Sequence, residues 1–317
     1  MYKIINNKII TIPSTIEHQR IDNFLINKFK NVPKSMIYRM LRTGKIKVNK
    51  KKILPNFKIK SQDLIKIPFI YINKIKPIKY HLTLNKIKFF KDMIIFEDKY
   101  ILAINKPSGI AVHGGSGINY GIIENFRYLF KKIKFLELVH RIDKETSGVL
   151  LIAKKRSILK ILQKQLIEKK ILKEYIALVK GNCFEKKNIY IKNFLVKNFL
   201  NKKIKVKINN NKGKYSETKL KIIKNYKNFM LVKINPLTGR THQIRVHMAY
   251  LKHPIINDQR YGDSSLNFKF KKKFNINRLF LHAKSIQLIH PKNNKKIKIY
   301  APLSNELNNC LLNLKQY

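Results

Sequence analysis

The stretch "HRIDKETSG", from His140 to Gly148, sets a carboxylate, Asp143, closely behind a histidine and an arginine and closes on a turn-forming Thr-Ser-Gly. An aspartate before such residues most often caps or turns the backbone, but one held in a pocket can also serve as the anion of a reaction. A kinase catalytic loop joins histidine, arginine and aspartate too. Here Ile142 intervenes, and the Gly-rich loop and Asp-Phe-Gly partner of that family are missing, so the kinase reading fails. Two other segments carry chemistry-bearing side chains. "KEYIAL" places Tyr175 two residues after Lys173, and a tyrosine in such a strand normally packs in the core. "LTGRTHQIRVH" holds Arg240, His242, Gln243, Arg245 and His247. His242 and His247 lack the intervening glutamate and spacing of a zinc-protease helix. "HGGSG", from His113 to Gly117, could cradle a phosphate but lacks the Gly-Lys-Ser/Thr ending of a nucleotide-binding loop.

The elements that must position these residues follow from pattern. An apolar strand, Ile101 to Asn105, ends at the turn Pro107-Ser108-Gly109. "GVLLIAKK" is a second strand, followed by "SILKILQKQLIEKKI", an amphipathic helix with Ser157 as its expected cap. "KEYIALVKG" and "NFMLVKINPLTG" give further strands, and "THQIRVHMAYL" a helix. Strands and helices interleave without a regular strand-helix-strand repeat, which predicts an α+β domain with a mixed, mostly antiparallel sheet. No internal repeat is visible.

An N-terminal unit is expected over residues 16–68, a lysine-rich linker containing Pro77 over 69–91, and the main domain over 92–317. In the first, "RIDNFLINKF" puts Ile21, Phe24, Leu25 and Phe29 on one helical face. A second helix starts near Pro33 and Ser35 and stops at Gly44, with Arg39, Arg42, Lys45 and Lys47 clustered around its end. "KIKVN" and "DLIKI" follow as short strands. "VPKSMIYRMLRTGKIKVN" resembles the alpha-L RNA-binding motif of a ribosomal small-subunit protein, which makes the Arg39-Arg42-Lys45 edge a phosphate-contacting surface.

Composition frames the partner. The 317 residues hold 69 Lys+Arg against 17 Asp+Glu, a formal charge of +52, with 44% hydrophobic residues, enough for packed cores. Such a surplus points to a polyanion, nucleic acid first. A lysine, isoleucine and asparagine bias without tryptophan is also what an AT-rich genome imposes, so charge alone identifies nothing. Cys183 and Cys310 lack zinc spacing and read as thiols in a reducing compartment. No apolar run nears the roughly 20 residues that span a bilayer, and no signal-peptide core opens the chain, which leaves a cytoplasmic protein as the default.

Taken together, "HRIDKETSG", "LKEYIAL", "GRTHQIRVH" and "NRLFLHA" resemble the RluA-type pseudouridine synthases, with Ile142 where leucine is usual. The resemblance runs from about Asp92 to Pro302 and implies a pseudouridine synthase fold. It makes Asp143 the catalytic carboxylate, Tyr175 the residue stacked on uracil, and Arg245 the cation that keeps Asp143 charged and aimed. It also implies that Arg141 fills the space left by an extruded uridine or holds a phosphate. His242 and Gln243 then support the RNA-binding pocket wall, and Leu281 is an apolar contact beneath the base. Gly114 after His113, together with "NKPSGIAVHGGSGINYGIIE", resembles the branch that modifies 23S ribosomal RNA. The isomerisation implied oxidises nothing and transfers no group to an acceptor, so no cofactor and no metal are expected. The expected partner is 23S ribosomal RNA within the large-subunit precursor, met by a monomer without membrane attachment. A sister synthase for other ribosomal or transfer-RNA uridines and a non-catalytic ribosome assembly factor stay open as alternatives. A DNA-binding regulator is a poor third, since no dimeric recognition-helix arrangement is visible.

Overall fold

The computed structural model describes residues 2–5, 7–29, 32–73, 82–115, 120–182, 188–200, 203–209 and 211–314. Cys183 and the Ser116–Gly117 end of the glycine-rich loop lie outside them. The chain divides into two compact units, Met1–His81 and Leu82–Tyr317.

The N-terminal unit runs β1 (Tyr2–Ile5), β2 (Lys8–Thr11), α1 (Ile21–Lys28), α2 (Lys34–Arg42), β3 (Lys47–Val48), β4 (Lys51–Lys52), β5 (Leu64–Ile67) and β6 (Ile70–Asn73). Strands pair in the order β2-β5-β3-β4, and β1 pairs with β6. The expected helical face holds: Ile21, Phe24, Leu25 and Phe29 are buried with Ile37 and Leu41 of α2 and Ile65 and Ile67 of β5. Each such side chain contributes roughly 1.5–3 kcal/mol. Asp22, itself buried, accepts from Arg20 Nη2 at 2.6 Å and from the Tyr38 hydroxyl at 3.2 Å, so it ties α1 to α2. Pro33, fixed in φ, precedes the first turn of α2, and Gly44 at φ +71° turns the chain away after it.

In the second unit α3 (Leu84–Asp92) leads into β7 (Ile94–Glu97), β8 (Ile101–Lys106), α4 (Ile122–Leu129), β9 (Glu137–Leu138) and β10 (Ser147–Ala153). Next come α5 (Arg156–Ile167), β11 (Leu172–Lys180), β12 (Asn188–Leu200), β13 (Lys203–Asn209), β14 (Lys214–Tyr226) and β15 (Phe229–Pro236). The chain ends with α6 (Gln243–Tyr250), α7 (Ser264–Phe274), β16 (Leu281–Ile289), β17 (Lys296–Tyr300) and α8 (Asn305–Asn313). Eleven strands form one sheet, ordered β13-β12-β14-β15-β11-β16-β10-β8-β7, with β17 on β16 and β9 on β10. The described pairs are antiparallel except β10 with β16, so the mixed, mostly antiparallel expectation holds. Every residue of β10 is buried, the mark of a strand covered on both faces. Ile158 and Leu162 of α5 pack there against Val149, Leu151, Ile286 and Leu288.

Three local expectations need correction. Residues 69–91 are not simply a linker, since β6 occupies 70–73 and α3 begins at Leu84 behind the cap Thr83. Strands β1 and β2 lie ahead of the expected start at residue 16. Helix α5 starts at Arg156 with Lys155 in the cap position, so Ser157 sits inside its first turn. Among the described residues no helix is long and apolar enough to cross a membrane.

Candidate active site

Asp143 lies on the loop between β9 and β10, and neighbouring segments hold that loop from behind. Lys106, at the end of β8, is fully buried and donates to the carbonyls of Pro107 (2.8 Å), Ile110 (2.9 Å) and Lys144 (3.0 Å). Burial, then the Arg278 charge, pulls the Lys106 pKa down to about 7, while three carbonyl acceptors match the three N–H bonds of its ammonium form. The Gly109 amide donates to the same Lys144 carbonyl at 2.8 Å, and the Ser108 hydroxyl donates to the Glu145 carbonyl. The Leu151 amide donates to His140 Nε2 at 3.2 Å. Burial and the nearby Lys173 charge lower the His140 pKa to about 3, so this ring is neutral at pH 7. The Pro-Ser-Gly turn and "HRIDKETSG" are therefore two halves of one clamped loop.

The groove in front of Asp143 has a volume of about 1510 Å³, and its lining includes Arg141, Asp143, Tyr175, His242, Gln243, Arg245 and Leu281. Four segments far apart in sequence supply these residues. Tyr175 is buried on β11. Burial and then the Asp143 charge raise its pKa well above the ordinary phenol range, so it is a phenol rather than a phenolate. Leu281, buried at the start of β16, pairs with Ala177 of β11 beside it.

Arg245 projects from α6 and is buried. The expected contact with Asp143 exists, Nη1 lying 3.6 Å from Oδ2, which is an ion-pair distance rather than a hydrogen bond. Its tight partner is Asp258, joined by Nε to Oδ2 and Nη2 to Oδ1, both at 2.7 Å. Asp258 is buried and also accepts the amides of Arg260 (2.9 Å) and Tyr261 (3.0 Å). Burial opposes both charges, but the pair and these hydrogen bonds win, holding the Asp258 pKa low and the Arg245 pKa high. Nη1 also lies 3.5 Å from Glu145, and the guanidinium sits 5.4 Å from the centre of the Tyr261 ring. Arg245 is thus fixed by one carboxylate and presented to two others.

His242 takes the N-cap position of α6 with a left-handed backbone, φ +53°. Its Nδ1 is 2.8 Å from the Tyr261 hydroxyl, and its Nε2 is 4.0 Å from Asp143 Oδ2. Burial lowers its pKa, partly opposed by Asp143. Gln243 has every polar position used inside the protein. Its amide donates to the Glu217 carbonyl and Thr218 Oγ1, each at 2.9 Å, and its carbonyl accepts from Thr238 Oγ1 (2.7 Å) and the Arg240 amide (3.0 Å). That residue builds the wall and has no group left over for RNA. His247 points away, its ring nitrogens 3.0 Å from Ser216 Oγ and 2.9 Å from Thr218 Oγ1. Arg141 is exposed at the groove. Arg39, Arg42 and Lys45 are exposed around the end of α2 and belong to the N-terminal unit.

Sequence reasoning missed Lys106, Glu145, Asp258 and Tyr261. Lys106 and Glu145 were within quoted motifs, but nothing in their spacing separates a clamp from a solvated charge. Asp258 and Tyr261 fall in "NDQRYGD", a turn-like run whose partners come into reach only through the fold. Among the described residues no group of three or more His, Cys, Asp or Glu side chains is placed to hold a metal ion.

Residues 100–250 match the family model described as RNA pseudouridylate synthase, and residues 19–65 match the S4 domain. Ribosomal large subunit pseudouridine synthase C of Buchnera aphidicola subsp. Acyrthosiphon pisum (strain APS) is 50% identical over 315 residues, 98% of each chain. The protein of that name from Haemophilus ducreyi is 46% identical over 310 residues, 98% of this chain and 96% of the relative. Among solved structures, Human RNA Pseudouridylate Synthase Domain Containing 4 shares the fold, with a TM-score of 0.60 at 23% identity, over 72% of this chain and 95% of its own.

Proposed function

This chain belongs to the RNA pseudouridylate synthase family, and from that premise we propose that it converts specific uridines of 23S ribosomal RNA to pseudouridine, with Asp143 as the reacting carboxylate. The target follows the printed name of the relatives, which match along nearly their whole length. The residue assignment rests on one observation: Asp143, Tyr175 and a charge-fixed Arg245 line the same groove although three separate segments supply them.

The reaction breaks the bond between uracil N1 and ribose C1′, turns the base, joins C5 to C1′ and removes the C5 proton, while N1 takes up a proton. Asp143 begins it, either by adding to the sugar or by taking a ribose proton; both routes start from the same anion. Arg245 balances the Asp143 charge from 3.6 Å without taking its lone pairs in a close hydrogen bond, so the carboxylate stays open to the sugar. The Tyr175 ring gives the loosened uracil a flat surface. Because its pKa is raised, its hydroxyl can only relay the C5 proton, accepting one while passing its own to water. Extruding the uridine costs a few kcal/mol, offset by stacking and backbone contacts, with Arg141 at the groove to hold the opened strand. Arg39, Arg42 and Lys45 of the S4 domain add phosphate contacts that position RNA without reading its sequence.

Tritium release from 23S ribosomal RNA labelled at uridine C5 tests this, comparing the full chain with Asp143→Asn. Release by the unaltered chain alone is the expected result. Release by both would move the chemistry away from Asp143. Release by neither, from folded and RNA-bound protein, would return the chain to the assembly-factor reading. Release from transfer RNA but not 23S RNA would make it a sister synthase.

A further inference from the structure

Lys173 is a cation of the groove that the reaction above does not use. It lies on β11 two residues before Tyr175. Both line the groove. Three of the other lysines there have partners: Lys233 meets Glu174 at 2.7 Å, Lys169 meets Glu217 at 3.7 Å, and Lys219 lies 5.2 Å from the centre of the Tyr190 ring. Among the described residues the Lys173 ammonium has no hydrogen bond and no carboxylate within ion-pair distance. No fully enclosed side-chain polar atom there lacks a partner, so this unpartnered Nζ must open onto the groove.

Its surroundings indicate which anion fits. A methyl group placed on Gly239 would lie 3.7 Å from Lys173 Nζ, which sets the ammonium against the loop leading into α6. The Lys173 charge acts on His140, the residue directly before Arg141. Asp143 exerts its charge on Tyr175 and on Lys106, whereas burial alone lowers the Lys173 pKa. Among the described residues no ion pair or hydrogen bond joins the Lys173 ammonium to Asp143, although both line the groove. A withdrawn, unpaired charge is costly to keep without a ligand. An RNA strand entering with its base on Tyr175 supplies one in its own backbone.

We propose that Lys173 is a phosphate-binding residue that grips the RNA backbone beside the extruded uridine and sets its register against Asp143. This rests on the groove being the RNA site. The test is filter binding of 23S ribosomal RNA transcript by the full chain, by Lys173→Met and by Lys173→Arg across a range of potassium chloride. Tritium release and thermal melting are measured alongside. Lys173→Met, which keeps the apolar stem, is expected to weaken binding and raise KM about ten-fold with kcat little changed. It should also reduce the log-log salt slope by about 0.7–0.9, the share of one phosphate contact. Lys173→Arg should restore both. Because no partner is lost, Lys173→Met should melt no lower than the unaltered chain. Unchanged affinity and slope would overturn the proposal. So would a fall in kcat with affinity kept, which would put the lysine on the base, or a fall in melting temperature, which would make it structural. If the unaltered chain binds but releases no tritium, the synthase reading fails while the binding arm still decides on Lys173.

Discussion

Asp143 and Asp258 are the same residue type with opposite surroundings. Asp258 is closed in, with two hydrogen bonds from Arg245 and two from backbone amides. Among the described residues, Asp143 faces the groove with Arg245 at ion-pair distance and His242 Nε2 4.0 Å from its carboxylate. One carboxylate holds the arginine; in the proposed reaction the other is left free to react. Asp258→Asn removes the charge and one arm of the bidentate pair, so it should let Arg245 swing. We expect kcat to fall by about 10- to 100-fold, as when a ligand's supporting contact is lost, with RNA affinity kept. Single-turnover tritium release at saturating RNA would show it, and an unchanged kcat would reduce Asp258 to a structural anchor. Asp258→Ala leaves a buried guanidinium half-paired and should cost about 3–5 kcal/mol of stability by urea unfolding.

Strand β10 carries the site from the other end. Gly148 follows the Asp143 loop at φ +108°, and a methyl group there would run into the Ala283 backbone where β10 meets β16 in parallel. The seam is tied further by Ser147, whose hydroxyl lies 2.8 Å from His282 Nδ1 and accepts from Arg278. Gly109, by contrast, has φ +88° and open space around the corresponding position. Gly109→Ala should therefore cost only the backbone strain, about 1–2 kcal/mol. Gly148→Ala adds a collision with main chain and should cost distinctly more, lowering the urea midpoint further and reducing activity with it. Equal midpoints for the two variants would show that β16 can move aside.

For the molecule as a whole, acid is the expected weakness. Burial lowers the pKa of His140 to about 3 and of His247 and His282 to about 4. In the unfolded chain each takes up a proton below about pH 6.5 while the native ring stays neutral, so the unfolded state binds more protons. Stability is therefore intact above that pH and falls as pH drops towards 4, by at most about 1.4 kcal/mol per unit for each histidine. Asp258, with its lowered pKa, pulls the same way at lower pH. Urea midpoints should decrease steadily from pH 7 to pH 5 at fixed ionic strength; a flat profile would mean that these rings are not neutral in the native state. A formal charge of +52 adds self-repulsion, so salt should stabilise the free protein while weakening its grip on RNA.

What the sequence determined by itself was what neighbouring residues encode. The apolar face of α1, the Pro33 start and Gly44 stop of α2, the strand ending at Pro107 and the "HRIDKETSG" loop are all written within a few positions. Periodicity and turn chemistry act at that range. Tertiary structure decided what depends on distant segments. It paired Arg245 with Asp258 across a turn, set Lys106 beneath Lys144 and closed β10 on β16. It also drew β6 and α3 out of a stretch whose lysines read as linker. Those outcomes follow from packing and from matching buried charge with buried partners, and no local pattern records which partner a buried group will find.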